Sequence, residues 1–219
     1  MIAPHSLPPA PSRRTAGFTL IEMLVVLAIL GLLLGFTGVA VMRYMESGRV
    51  TDCGARITAV GLLLDSYADR MGDFPPSKLS SLGITDANTV NEGSEALVAA
   101  LRATEYGGRR PEESWLGNVD DDTTQTKRFA DGSRALLELV DPWDNPIIYI
   151  VHGDYDGEGV YRLTGDFGEE DVTVRAAKNP LTEGFHKFES YQLLSAGPDG
   201  LLGTEDDIAN YEIAIPDRD

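Results

Sequence analysis

Apolar residues are spread unevenly along this chain. From Phe18 to Met42 the sequence reads FTLIEMLVVLAILGLLLGFTGVAVM, 25 residues with one charge, Glu22. As a helix this run would extend about 37 Å, enough to cross a hydrocarbon core of ~30 Å with some tilt. Past it the pattern becomes one-sided. Ile57, Val60, Gly61, Leu64, Tyr67, Ala68 and Met71 recur at 3-4 spacing, while Asp52, Arg56, Asp65 and Asp69 mostly take other faces. That is the signature of an amphipathic helix lying on a core. Gly72 and then Phe74-Pro75-Pro76 stop it. The pattern predicts one helix from about Phe18 to Met71, ~80 Å long, its first half in lipid and its second half on a soluble head.

Periodicity is weaker after Pro76. EGSEALVAALRA, from Glu92 to Ala103, reads as a short amphipathic helix with a cap near Asn91. Residues 107–134 are rich in Gly, Pro, Asn and Asp and read mostly as loop. A second short helix is predicted from Gly132 to Leu139. Asp141-Pro142-Trp143-Asp144-Asn145-Pro146 is a turn cluster. Short strand-like runs follow at 147–151, 160–164, 172–176, 188–194 and 210–215. The predicted class is α+β, a long helix packed on a small antiparallel sheet. The predicted organisation is a leader over 1–17, a transmembrane half-helix over 18–42 and a head over 43–219. Within the head, 43–72 is the amphipathic half-helix, 73–146 a helix and loop region, and 147–219 the sheet with an acidic loop.

Charge sets the orientation and narrows the partners. Residues 1–17 hold four prolines, the pair Arg13-Arg14 and no acidic residue. The positive-inside rule then keeps the N-terminus cytoplasmic and exports the head, although Arg43 and Arg49 lie on the far side. The whole chain carries 18 Lys plus Arg against 35 Asp plus Glu, a net −17. Nucleic-acid binders usually show a basic face, so no nucleic-acid partner is expected. The single cysteine, Cys53, excludes an intramolecular disulfide and reads as a small packed residue. His5, His152 and His186 are the only histidines, and no arrangement of nucleophile, base and orienter is visible, so no enzyme activity is expected.

Glu22 needs an explanation. A cleavable secretory signal has a shorter apolar stretch and a small-residue cleavage site, which is not evident here. A plain signal anchor leaves the carboxylate unexplained, because an ionised group in lipid costs a few kcal/mol and normally has a partner. A cut between Gly17 and Phe18 supplies one. The new α-amino group of Phe18 lies one helical turn from Glu22 in the same chain, and staggered copies could pair the two between neighbours.

Gly17-Phe18-Thr19-Leu20-Ile21-Glu22, after a short basic leader and inside an apolar helix, resembles the type IV prepilin signature. The resemblance implies that a prepilin peptidase cuts after Gly17 on the cytoplasmic side and methylates Phe18, and that Glu22 serves assembly. Four later stretches carry it further. They are Asp69 to Pro75 (DRMGDFP), Glu92 to Leu97 (EGSEAL), Asp141 to Pro146 (DPWDNP) and Leu194 to Gly200 (LSAGPDG). In order, they resemble the landmarks of the major pseudopilins of type II secretion systems. The chain is longer than such proteins usually are. The excess sits in about 99–138 and 152–187, where enlarged loops or an added hairpin are expected. Asp144 stands where that family typically has Gly.

Ser195 to Ile208 (SAGPDGLLGTEDDI) lies between two predicted strands. Calcium takes about 6–8 oxygens in flexible geometry. Gly200 and Gly203 permit turns that would bring Asp206 and Asp207 near Asp199, and the absence of His and Cys disfavours zinc. The residues alone fit either an exposed turn or a calcium site. The pseudopilin resemblance implies calcium, held by the side chains of Asp199, Asp206 and Asp207 with the carbonyls of Ala196 and Leu201. Asp120-Asp121-Asp122 and the turn from Asp154 to Glu158 are expected to be solvated.

The function implied is a structural subunit of a type II secretion pseudopilus. Its expected partners are copies of itself, the prepilin peptidase, an inner-membrane assembly platform and minor pseudopilins. Its expected location is the inner membrane, with the head in the periplasm. A type IV pilin or minor pilin for adhesion, motility or DNA uptake is the alternative. A membrane-anchored, calcium-dependent enzyme is a third class.

Overall fold

The computed structural model describes residues 17–129, 131–165 and 168–213, the side chains at 36 and 38–40 excepted. In chain order the elements are α1 (Leu20–Met71), α2 (Glu92–Arg102), β1 (Leu116–Gly117), β2 (Glu138–Leu139), β3 (Ile148–Val151), β4 (Gly159–Gly165), β5 (Gly168–Val174), β6 (Tyr191–Ser195) and β7 (Ile208–Ala209). Single 3-10 turns lie at Leu79–Leu82, Glu113–Trp115 and His152–Asp154. The chain divides into two units, Met1–Met45 and Glu46–Asp219.

In the first unit, α1 begins at Leu20 after Thr19, and no proline follows until Pro75. Its described apolar side chains are exposed on every side: Leu20, Ile21, Leu24, Leu27, Leu32 and Leu34 are each more than half accessible. Among the described residues, no helix is long and apolar enough to cross a membrane. Positions 36 and 38–40, inside the run 18–42, fall outside the described side chains.

In the second unit, the rest of α1 buries one stripe. Cys53, Ile57, Val60, Leu64 and Tyr67 are packed away at 4-3-4-3 spacing. They meet Leu97 and Leu101 of α2 and Tyr149, Val151, Tyr191 and Leu193 of the sheet in one core. Fully burying each aliphatic side chain contributes roughly 1.5–3 kcal/mol. Met71, at the end of the stripe, is exposed, and the helix stops at Gly72, whose N–H donates to the Ala68 carbonyl at 2.8 Å.

The main sheet has the order β3-β6-β7, antiparallel throughout, with Ile148 opposite Leu194 and Ser195 opposite Ile208. β4 and β5 form a separate hairpin inside the 152–187 excess, as expected of an inserted element. α2 is more deeply placed than its pattern suggests, with every residue from Gly93 to Arg102 buried. Asn91 sits at its N-cap position but with φ 59° and no side-chain cap. Its amide instead accepts from the Arg162 N–H at 2.9 Å and donates to Glu138 at 3.1 Å.

The helix predicted from Gly132 to Leu139 does not form. Residues 138–139 are β2, paired with β1, and Thr124 N–H donates to the Arg134 carbonyl across the same ribbon. The Ala-Leu-Leu-Glu-Leu stretch favours helix locally, but Asp131 and Ser133 bond the N–H groups of Ser133 and Ala135, the Asp122 carbonyl accepts Leu136 N–H, and the Ser94 hydroxyl accepts Leu139 N–H at 3.0 Å. The strand predicted at 172–176 is shifted back, as β5. That at 188–194 begins only at Tyr191, because 187–190 turn and leave Phe188 exposed. The last predicted strand, 210–215, is displaced to β7. There the Asn210 side chain accepts from Leu193 N–H at 3.0 Å and donates to the Tyr191 carbonyl, taking over the ladder and ending it. Residues 214–215 of that prediction lie outside the described residues.

Candidate functional sites

The N-terminal motif begins outside the helix. Gly17 and Phe18 are exposed and non-helical, a conformation a protease can bind. The leader 1–16 lies outside the described residues. Thr19 is the residue before the first helical turn, and Glu22 is three residues on. Thr19 N–H and hydroxyl donate to the Glu22 carboxylate at 2.8 and 2.7 Å, and Glu22 N–H donates back to the Thr19 hydroxyl at 3.3 Å. This is a reciprocal capping box, which satisfies N–H groups that a helix start otherwise leaves free. It does not use the Gly17–Phe18 bond, so a cut there leaves it intact.

The second site is the turn between β6 and β7, and the Asp141–Pro146 cluster shapes its root. The buried Asp141 carboxylate accepts N–H groups from Trp143 at 2.9 Å and Asn145 at 3.0 Å. Its other oxygen accepts the Ser195 hydroxyl at 2.6 Å, and Ser195 in turn accepts Gly197 N–H at 3.1 Å. Trp143 donates its indole N–H to Glu46 at 2.7 Å, tying the cluster to the head part of α1. Asn145 exchanges hydrogen bonds with the backbone of Thr164 at 2.7 and 3.1 Å. Asp144 holds φ 65°, a left-handed conformation that favours glycine, which accounts for Gly in the pattern this stretch resembles.

Within the turn, Gly197 has φ 66° and leaves no room for a side chain: a Cβ would lie 2.3 Å from the Asp206 carbonyl. That close approach brings the two ends of the loop together. Asp206 accepts Asp199 N–H at 3.1 Å and the Thr204 hydroxyl. Asp199 accepts Leu201 N–H at 2.8 Å, and Asp207 accepts Gly203 N–H at 2.7 Å with one oxygen. The other Asp207 oxygen is buried without a partner. Burial pushes the Asp207 carboxyl up to about 6; Gly203 N–H opposes this, and the charges of Asp206 and Asp199 add to it. Ala196 is buried at the start of the turn and Leu201 is exposed at its tip. The donors are all oxygen and one is orphaned, so the set fits a hard cation. The three carboxylates do not converge as closely as Glu95, Asp120 and Glu138, whose oxygens lie within 4.8 Å of one another.

Cys53 is fully buried, and that burial pushes its thiol up to about 11, so it is an inert packing residue.

A family model described as prokaryotic N-terminal methylation motif matches residues 12–38. Three relatives named type II secretion system core protein G align with nearly the whole chain or most of it. That of Escherichia coli is 25% identical over 198 residues, 90% of this chain and 92% of the relative. That of Pseudomonas aeruginosa is 29% identical over 154 residues, 70% of this chain and 86% of the relative. That of Aeromonas hydrophila is 24% identical over 203 residues, 92% and 95%. The chain is thus similar to major pseudopilins over most of its length and carries a prepilin-type N-terminal motif. No solved structure matches it.

One feature of this chain carried a sequence signal that went unread, and two had none. The capping box was visible as Thr-x-x-Glu at the head of the apolar run. The Asp141–Ser195 bond joins residues 54 positions apart and has no local signal. Asp120 and Asp122, expected in a solvated turn, face inward with buried unpartnered oxygens, and only Asp121 is fully exposed. The turn at 154–158 is closer to expectation, its Glu158 pairing with Arg175 at the surface, although Asp154 accepts the Ser77 hydroxyl at 2.6 Å.

Proposed function

We propose that the chain is a structural subunit of a type II secretion pseudopilus, anchored by residues 18–42 in the inner membrane until it enters the filament. The observation that carries this reading is the Gly17-Phe18-Thr19-x-x-Glu22 motif, exposed at the head of a helix whose first half is apolar on every face. Among the described residues that surface has no partner within its own unit, and a bilayer or the same helix in other copies would cover it. Prepilin peptidase cuts after Gly17 and methylates Phe18. Glu22 then has two duties: it caps its own helix through Thr19, and it offers a carboxylate to the Phe18 amine of a neighbouring copy. The assembly platform and minor pseudopilins are the further partners this role requires.

In the head, Asp199, Asp206 and Asp207, with the carbonyls of Ala196 and Leu201, hold calcium, which when bound cancels their mutual repulsion and fastens the turn. The Asp141–Ser195–Gly197 bonds set the root of that turn before any ion arrives. The role is one of assembly, without chemistry of its own.

The test is filament formation in cells carrying the secretion machinery. Wild type should yield filaments by electron microscopy, and Glu22→Ala should yield processed, membrane-held subunits without them. Equal filaments from both would overturn the assembly role.

A further inference from the structure

α2 is the most enclosed element of the head, and Glu95 stands in its first turn with no accessible surface. Alanines, Leu97 and Val98 surround it along the helix. Both Glu95 carboxylate oxygens lack any hydrogen-bond partner. An ionised carboxylate in that state costs several kcal/mol unless a counter-charge is supplied. Among the described residues, none of the ion pairs includes Glu95.

More carboxylates converge on it. One oxygen each of Glu95, Asp120 and Glu138 lie within 4.8 Å of one another. Asp120 and both oxygens of Asp122 add further buried, unpartnered acceptors. The loop is built to aim them inward. Asn118 closes it by accepting from Asp122 N–H at 3.1 Å and donating to the Asp122 carbonyl at 3.0 Å. Asp121 takes φ 60° and points out, so its neighbours at 120 and 122 turn in. Neutral donors orient the rest without consuming it. Asn88 bonds one oxygen of Asp120 at 2.9 Å and leaves the other free. Glu138 accepts one bond on each oxygen, from Asn91 and from Val119 N–H, both at 3.1 Å, and each keeps a lone pair.

We propose that Glu95, Asp120, Asp122 and Glu138 form a second divalent-cation site, an oxygen-only site of calcium type that joins α2 to the Asn118–Asp122 loop and β2. Four carboxylates with no Cys or His among them suit a hard cation that accepts many oxygens at flexible geometry. The fully buried, orphaned Glu95 separates this cluster from an ordinary acidic patch, because a solvated patch does not hold a carboxylate with no accessible surface and no partner on a core helix. Burial and the charges of Asp122, Glu138 and Asp120 also push its carboxyl up to about 10, the same electrostatic frustration seen from the side of the proton. The site shares no residue with the Asp199–Asp207 turn and stands independently of it.

The experiment is calcium titration calorimetry on the full chain in detergent micelles, after stripping with a chelator. Wild type should bind two ions. Asp199→Ala with Asp207→Ala should bind one, and adding Glu95→Gln should remove that one. One ion lost with Glu95→Gln and none with the loop pair would retain this site and discard the loop. Unchanged binding in Glu95→Gln, or no binding in the loop pair, would overturn the second site and leave protons as its neutralising charge. Glu95→Leu guards against misfolding: it should fold and raise the cation-free melting temperature, while losing the calcium response of this site. A Glu95→Leu chain that keeps two ions would overturn the proposal as well.

Discussion

The two parts of α1 are one continuous element with opposite surfaces. Up to Met45 the described leucine, isoleucine and valine side chains lie on every side and are exposed. From Glu46 it shows a single buried stripe, completed by α2 and the β3-β6-β7 sheet. The second part finds its partner in its own chain. In the proposed role the first part finds one in lipid or in other chains, and it carries the only charge of the apolar run in a capping box at its tip. The contrast separates stability from assembly: substitutions after Glu46 should act on the head, and those before it on insertion and polymerisation.

The sharpest way to break that separation is a matched pair. Leu64→Ala, at a fully buried position, should lower head stability by roughly 2–5 kcal/mol in denaturant unfolding. Leu27→Ala, at an exposed one, should change it by less than about 0.5 kcal/mol. Similar losses from both would mean that the head also depends on the apolar half. A smaller effect is expected at the helix start. Thr19→Ala removes the capping residue and should cost about 0.5–2 kcal/mol of local helix stability, read as faster amide exchange at residues 20–23, with the head unmoved.

The smallest effect concerns pH. The exposed Asp86 carboxylate accepts the hydroxyls of Thr124 and Thr126 and the N–H of Gln125, which hold it well below the usual carboxylate range. A depressed folded-state value contributes stability above the ordinary 3.8 and loses it as pH falls through the lower folded value. Wild type should therefore exceed Asp86→Asn in melting temperature near neutrality, and the gap should close below about pH 4. A constant gap would assign the contribution to packing instead.

Much of this contrast was legible in the residues. The 3-4 spacing from Ile57 to Tyr67 marks the buried stripe, and the uniform run from Phe18 marks its absence. The Pro-Pro stop, α2 and three of the strands also follow from local pattern. Pairing between distant segments was not legible. Residues 132–139 carry helical preference yet form no helix, because β1, the backbone of Asp122 and Thr124 and the Ser94 hydroxyl take their hydrogen bonds. For the sites, Gly17, Phe18 and Glu22 stood out as a motif, and Asp199, Asp206 and Asp207 as an oxygen-rich turn. The inward turn of Asp120 and Asp122 depends on Asn118 and on a Glu95 from another element, a convergence no local spacing reveals.

The central claim is that this helix is released from a leader and then assembled. The direct measurement is the intact mass of the chain after expression with a prepilin peptidase. The account predicts loss of residues 1–17 and gain of one methyl group on Phe18. A chain that keeps its leader, or is cut after the apolar run, would contradict it.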